Sequence, residues 1–383
     1  MNASLPVLKA EHPTARDPRW NELIAELQAW GLRWPEAGGP GLSRRGGAGP
    51  SDHKALTLAG QTVMVPVFTH ASRRSPYTAE LDRSSGGALL FREGRFVAHV
   101  DFPREPQFYR RVTKDGIPYW KIATLHGRDV LASTVLQTCT RYGNRATACQ
   151  FCAIGQSLAA RSTIAEKTPA QLAEVAKAAV ELDGVSHAVL TTGTPATPDR
   201  GAAALARCAQ AIQAAVRLPL QAQCEPPEDL GWLARMAEAG VDALGMHLEA
   251  VSEDVRRRIM PGKAEVPVSR YLEAFARAVE VFGRGQVSTY LLAGLGDTRE
   301  AILEACQALV VLGVYPFVVP FVPIAGTPLE YHPAPDPGFL ELLLADVALL
   351  LKRAGLRSQD AKAGCARCGA CSSLRAREAI RPA

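Results

Sequence analysis

The chain has 383 residues, 47% of them hydrophobic and 6% aromatic, with a formal charge of +5 from 43 basic and 38 acidic side chains. That length suits one large catalytic domain with appended regions better than several small domains, and no run of about 18 apolar residues suggests a membrane span. The basic residues are spread among acidic ones, so neither nucleic acid nor a membrane is an expected partner; the start, Met1-Asn2-Ala3-Ser4-Leu5-Pro6, has no basic and apolar signal pattern, and a cytoplasmic location is expected.

Leu23, Ile24, Leu27 and Trp30 recur at helical spacing and predict a helix from Trp20 to Trp30. Six glycines and the pair Arg44-Arg45 between Pro35 and Pro50 carry too little apolar material to order themselves, so residues 1–55 read as a helix and a flexible linker. Residues 56–130 read as a β-rich lead-in module, with strand-like runs at Thr62 to Val67, Ala88 to Phe91 and Arg95 to Val100 around a Glu93-Gly94 turn. A lid over a catalytic domain is one use for such a module.

Over residues 131–335 strands and helices alternate, which predicts a parallel sheet wrapped by helices. The expected strands are Thr134 to Thr138, His187 to Thr192, Pro219 to Cys224, Ala243 to Leu248, Gln286 to Ala293 and Tyr315 to Val322. Six such units make an α/β chain with a partial (β/α)6 TIM-like barrel, short of the closed eightfold form. Thr168 and Pro169 mark one helix start, as N-cap and first helical residue. Residues 336–383 add a helix from Gly338 to Ala354 and a cysteine tail too short for a core of its own.

Nine cysteines in a reducing compartment, six of them in two tight groups, read as metal ligands before disulfides. Cys208 and Cys306 fall in helical Ala- and Leu-rich patterns and read as buried packing residues. Cys139, Cys149 and Cys152 share one loop after the first barrel strand, on the face where such barrels build sites. Three thiolates suit a [4Fe–4S] cluster with one iron left open to an exogenous group. Zinc, which would want a fourth Cys or His that the loop does not offer, and unrelated buried thiols are the alternatives.

Cys149-Gln150-Phe151-Cys152 resembles the Cys-x-aromatic-Cys end of the motif of the radical S-adenosylmethionine (SAM) superfamily. Nine residues separate Cys139 from Cys149 where the family has three, and Arg145 takes the family's first cysteine position; Cys139 is the only cysteine upstream. Thr192-Gly193-Thr194 follows the second strand, where the family turns a glycine-containing segment onto the SAM amino group. Met246 to Val251 is similar to the Asn-Leu-Glu-Thr-Val segment of lipoyl synthases, with Glu249 at the cofactor-contacting carboxylate and His247 in place of Asn. A His on an apolar strand also reads as a core residue. Gly294 and Gly296, in Leu292 to Thr298, resemble the glycines that back the adenine in biotin and lipoyl synthases. Pro323 lies in a segment, Pro320 to Leu329, similar to one of biotin synthases.

This resemblance spans about Thr134 to Leu329. It implies a cluster on Cys139, Cys149 and Cys152 whose open iron chelates SAM. A one-electron reductant such as flavodoxin or ferredoxin would drive cleavage to methionine and a 5′-deoxyadenosyl radical, which abstracts hydrogen from a small-molecule substrate. Over the whole chain, Cys139 to Arg145, Gln223-Cys224-Glu225-Pro226-Pro227 and the C-terminal cysteines resemble a radical SAM family associated with bacterial nitrilase gene clusters, which implies nitrile or cyanide metabolism.

Cys365-x2-Cys368-x2-Cys371 has three of the four positions of a bacterial ferredoxin run, with Arg375 where the fourth would stand. It reads as the site of a second, auxiliary iron–sulfur cluster, with zinc or a redox-active thiol pair as alternatives. The contrasting functional classes are an iron–sulfur electron-transfer or assembly protein without radical chemistry, and a zinc enzyme.

Overall fold

The computed structural model describes residues 18–34, 53–58, 60–82 and 86–378; the linker expected between Pro35 and Pro50 lies outside the described residues. The expected first helix is Pro18–Trp30, and Trp20, Leu23, Ile24 and Leu27 are all buried. They pack on β1 (His53–Leu58) and β2 (Gln61–Pro66), an antiparallel pair. A meander follows of β3 (Tyr77–Asp82), β4 (Gly87–Arg92) and β5 (Arg95–Val100). Its second turn is the expected Glu93-Gly94, with φ of 49° and 79°, the two left-handed residues of a type I′ hairpin turn. Thr57 and Asp101 exchange backbone hydrogen bonds of 2.8 and 3.0 Å, so β1 lies beside the end of β5. Helix and strands therefore share one apolar core, with Leu27, Leu56, Val65, Tyr77 and Leu90 at its centre.

The chain then builds one seven-stranded sheet in the order β6 (Thr124–His126), β7 (Val130–Thr134), β8 (His187–Thr191), β9 (Leu220–Gln223), β10 (Ala243–Gly245), β11 (Val287–Ala293) and β12 (Tyr315–Pro320). β7 to β12 are all parallel; β6 is an antiparallel edge on β7. Parallel strands joined by helices are covered on both faces, so they read as continuous apolar runs; all six residues of β12 are buried. The sheet is the expected six-unit half-barrel. Cys208 and Cys306 are both in its core.

The first parallel strand is displaced from its expected place. It runs Val130–Thr134 instead of Thr134 to Thr138, because Val130–Thr134 pairs residue for residue with His187–Thr191. Residues 135–138 peel away toward 163–167: Leu136 bridges Glu166, and Gln137 N donates to Ala165 O at 2.7 Å. Cys139 consequently lies five residues beyond the strand end rather than directly after it.

Thr168 and Gln171 form a reciprocal capping box, with bonds of 2.9 and 3.2 Å, at the start of the helix Pro169–Asp183. The last long helix, Pro337–Ala354, is capped by Asp336. The tail has no core of its own, but Ala363, Ala366, Ala370 and Leu374 are buried against the rest of the chain. Gly364 N donates to His187 Nδ1 (3.3 Å) at the start of β8, and Ser372 Oγ to Val318 O (2.6 Å) in β12. The tail thus crosses the open side of the half-barrel. Ala370 O accepts from Met64 N (2.8 Å) and Gln28 Nε2 (3.3 Å), which ties the lead-in module to the tail.

Candidate active site

One cavity of about 430 Å³ fills the half-barrel, and both cysteine groups open into it. Cys139, Cys149 and Cys152 line one end; Cys365 and Cys371 line the other. Between them stand Thr134, Val189, Thr191, Gln223, His247, Tyr290, Leu292 and Val319 from the strands, and Gln28, His53 and Met64 from the lead-in module.

The nine residues between Cys139 and Cys149 fold back on themselves. Asn144 O accepts from the backbone of Thr147 (3.0 Å) and Ala148 (2.8 Å), and Asn144 Oδ1 from Ala146 N (3.0 Å). This turn projects Arg145 into solvent and Arg141 inward. Gln150 N and Nε2 donate to Ile259 O (2.8 Å) and Arg258 O (2.6 Å), and Gly262 N to Thr147 O (3.1 Å), so the cysteine loop is docked on residues 258–263. On its other side Thr140 N donates to Thr194 O (2.9 Å). A Cβ on Gly193 would lie 2.1 Å from Thr138 O, so only glycine lets these two loops meet.

Charged side chains surround the three thiols in pairs. Arg141 is ion-paired with Glu225, which also accepts from Thr194 Oγ1 at 2.9 Å. Lys263 Nζ donates to Glu249 Oε2 at 2.8 Å. Burial works against the charge of Glu225, but Lys263 and Arg141 outweigh it and hold the carboxyl below its ordinary range. Burial likewise opposes the charge of Lys263, and Glu249 leads the contacts that raise it regardless. Burial pushes the Cys149 thiol up, helped by Glu249, and the Cys152 thiol to about 11. Thiolates here need a cation to sit on.

Glu249 has φ of 66°, a costly conformation for a residue with a side chain and one that accumulates at functional sites. Fully buried Arg256 holds it there, donating to the carbonyls on either side, Leu248 O (2.8 Å) and Ala250 O (3.2 Å). Near the cysteine loop, Glu225 Oε2 and His247 Nε2 are among the buried polar atoms of lining residues that have no partner among the described residues. His247 Nδ1 accepts from Tyr290 N (3.2 Å), so its proton sits on Nε2 and forms a donor facing the cavity. Burial, with Lys263 nearby, lowers His247 to about 3 and keeps it neutral.

Of the residues singled out from sequence, Cys139, Cys149, Phe151, Cys152, Thr192, Gly193, Thr194, His247, Glu249, Cys365 and Cys371 are brought together on this wall. Cys368 is next to it, its Sγ 3.1 Å from where a Cβ on Gly127 would be. Gly294 and Gly296 stand outside the wall, with φ of 110° and 125°, backed by Pro335 and Arg258. Pro323 is buried between the lining residues Val322 and Ile324. Sequence reasoning gave no role to Lys263, Tyr290 or His126, and quoted Arg141, Gln223 and Glu225 only within longer segments. A buried Lys in a four-residue helix and a His on a short hairpin strand carry no pattern of their own.

The site thus combines an α/β half-barrel, a three-cysteine loop past its first parallel strand and two buried ion pairs on one cavity. Residues 138–309 match the Radical SAM superfamily, and the chain carries a radical SAM domain. It is 30% identical over 172 residues to a lipoyl synthase of Bacillus cytotoxicus, covering 45% of this chain and 53% of that protein. It is also 30% identical over 125 residues to bacteriochlorophyllide c C-7(1)-hydroxylase of Chlorobaculum limnaeum, covering 32% of this chain and 31% of that one. The chain thus spans about half or less of these relatives. A solved radical SAM methyltransferase from Sphaerobacter thermophilus superposes with a TM-score of 0.46 at 16% identity, covering 73% of this chain and 75% of that one.

Proteins of this superfamily use a [4Fe–4S] cluster and SAM, and the residues here fit both. Three thiols face one space, with the unpartnered Glu225 Oε2 and His247 Nε2 beside them. Among the described residues no three His, Cys, Asp or Glu side chains gather closely enough for a single metal ion. A zinc ion would draw its sulfurs to about 2.3 Å from one point, whereas a cluster stands between its ligands and keeps them apart. No helix among the described residues is long and apolar enough to cross a membrane.

Proposed function

We propose that the chain is a radical SAM enzyme in which Cys139, Cys149 and Cys152 hold the [4Fe–4S] cluster and the charged residues beside them seat SAM. The observation that carries this reading is the single cavity onto which three thiols, two buried ion pairs and two unpartnered polar atoms all converge. When bound, the cluster supplies one electron, from a reductant such as flavodoxin or ferredoxin, to the sulfonium of SAM, releasing methionine and a 5′-deoxyadenosyl radical.

The chain's own residues do the positioning. Glu225 Oε2 and His247 Nε2–H offer an acceptor and a donor to the polar groups of SAM, while Arg141 is paired with Glu225 and Lys263 with Glu249. Phe151, set edge-on to Phe321 with ring centroids 6.5 Å apart, walls off water near the cluster. A cavity of this size is what one drug-sized ligand fills, so once SAM is seated the substrate must be small. Cys365, Cys368 and Cys371 hold a second, auxiliary cluster at the far end.

The substrate belongs to nitrile or cyanide metabolism in this reading. Its support is that the three segments shared with the nitrilase-associated family, at Cys139 to Arg145, Gln223 to Pro227 and Cys365 to Cys371, all contribute to the one cavity wall. An electron-carrying or assembly protein has no use for a ligand-sized cavity between two cysteine groups.

The test is anaerobic reconstitution followed by dithionite and SAM. Cluster-loaded protein should form 5′-deoxyadenosine, and Cys149→Ala should reduce it to background. Equal formation by the variant, or none by fully loaded protein supplied with candidate nitriles, would sink the proposal.

A further inference from the structure

The two cysteine groups differ in what their sulfurs accept. Among the described residues no hydrogen-bond donor reaches Cys139 or Cys149, and Cys152 accepts the backbone N–H of Ile154. In the tail every sulfur has a polar partner, and two of the three accept. Gln223 Nε2 lies 3.2 Å from Cys365 Sγ, and the Tyr290 hydroxyl bonds to the same sulfur. Cys368 accepts the backbone N–H of Ala370. His126 Nε2 is 3.5 Å from Cys371 Sγ, donating in the Nε2-protonated tautomer.

The donors are locked in direction. Cys365 N donates to Gln221 Oε1 (3.2 Å), which turns Gln221 Nε2 toward Ser288 Oγ (3.0 Å). Gln221 Oε1 also accepts one hydrogen of Gln223 Nε2 (2.8 Å), leaving the other for the sulfur. Tyr290 is clamped between His247, stacked at 4.4 Å and 18°, and Phe317 at 5.3 Å. All three side chains come from barrel strands, β6, β9 and β11, and line the cavity.

We infer that His126, Gln223 and Tyr290 are positioning residues for the tail cluster, and that their hydrogen bonds raise its reduction potential above that of the cluster on Cys139, Cys149 and Cys152. This rests on the proposed presence of both clusters. A hydrogen bond to a thiolate withdraws charge from it and favours the more negative, reduced cluster. Gln223 and Tyr290 are neutral donors, so they do this without adding a charge at Cys365. The tail cluster is then the first to take an electron from an external reductant, and the chamber has an electron store at the end away from SAM.

The experiment is a redox titration of the anaerobically reconstituted full chain, followed by electron paramagnetic resonance, with iron and sulfide analysis alongside. Two midpoints are expected. Alanine at all three loop cysteines should remove the lower one, and alanine at all three tail cysteines the higher. Tyr290→Phe, which keeps the ring packing, and Gln223→Leu should each shift only the higher midpoint downward at unchanged iron content. A tail midpoint at or below the loop midpoint, an unmoved one in both variants, or zinc in the tail would overturn the inference. Loss of the lower midpoint from the unmutated protein would count instead against the radical SAM site.

Discussion

The loop bearing Cys139, Cys149 and Cys152 and the tail bearing Cys365, Cys368 and Cys371 face one cavity but are secured by different chemistry. Around the loop are full charges in buried pairs, Arg141 with Glu225 and Lys263 with Glu249, and a carboxylate held at a left-handed φ by Arg256. The side chains that reach the tail sulfurs and the backbone beside them are amides, a phenol and imidazoles, with the charges of Asp129 and Arg375 further out near Cys368. Paired charges suit a ligand that itself carries an ammonium, a carboxylate and a sulfonium, because each charge can find an opposite while the site stays near neutral. In the proposed reading, amide and phenol donors tune the tail sulfurs for electron transfer at little electrostatic cost elsewhere.

The largest effect that sharpens this contrast comes from replacing Cys365, Cys368 and Cys371 together by alanine. Iron and sulfide per chain should fall by about half, with 5′-deoxyadenosine formation retained, as measured by metal analysis and chromatography; unchanged iron would break the comparison at its base. Next in size is Glu225→Ala. Both side chains of this ion pair are about nine-tenths buried, so removing one strands the Arg141 charge and should cost about 3–5 kcal/mol of stability. Urea unfolding of the metal-free chain reads this directly, and a loss below 1 kcal/mol would show that the pair is hydrated.

The smallest expected effect concerns pH and the tail. Burial lowers His187 to about 4, only partly countered by Asp129, and its Nδ1 must stay unprotonated to accept from Gly364 N. Between that value and the ordinary 6.5 the unfolded chain binds the extra proton, so stability is full above about pH 6.5 and is lost as pH falls toward 4. The loss is about 3 kcal/mol at most by the linkage relation. Unfolding curves for the wild type and His187→Gln over this range should converge as pH falls; parallel curves would show that His187 does not couple to tail docking.

Legibility in the sequence follows from how local each signal is. The helix at Pro169–Asp183 was marked by its own Thr168 cap, and the Glu93-Gly94 hairpin by its two turn residues. The register of β7 was not local: Thr134 to Thr138 reads as a strand as well as Val130–Thr134 does, and only pairing with His187–Thr191 chooses between them. The cysteines announced themselves by spacing. Lys263 and Tyr290 did not, because their roles arise from partners 14 and 75 residues away, Glu249 and Cys365.

By itself the sequence determined the element types, the six parallel units, the two cysteine groups and the family resemblance, since each depends on residue spacing within a short stretch. The tertiary structure alone decided that the tail lies across the open half-barrel and faces the same cavity as the loop. That outcome depends on long-range contacts such as Gly364 with His187 and Ser372 with Val318, where buried polar groups must find partners wherever the fold brings them, and no local pattern encodes such a pairing.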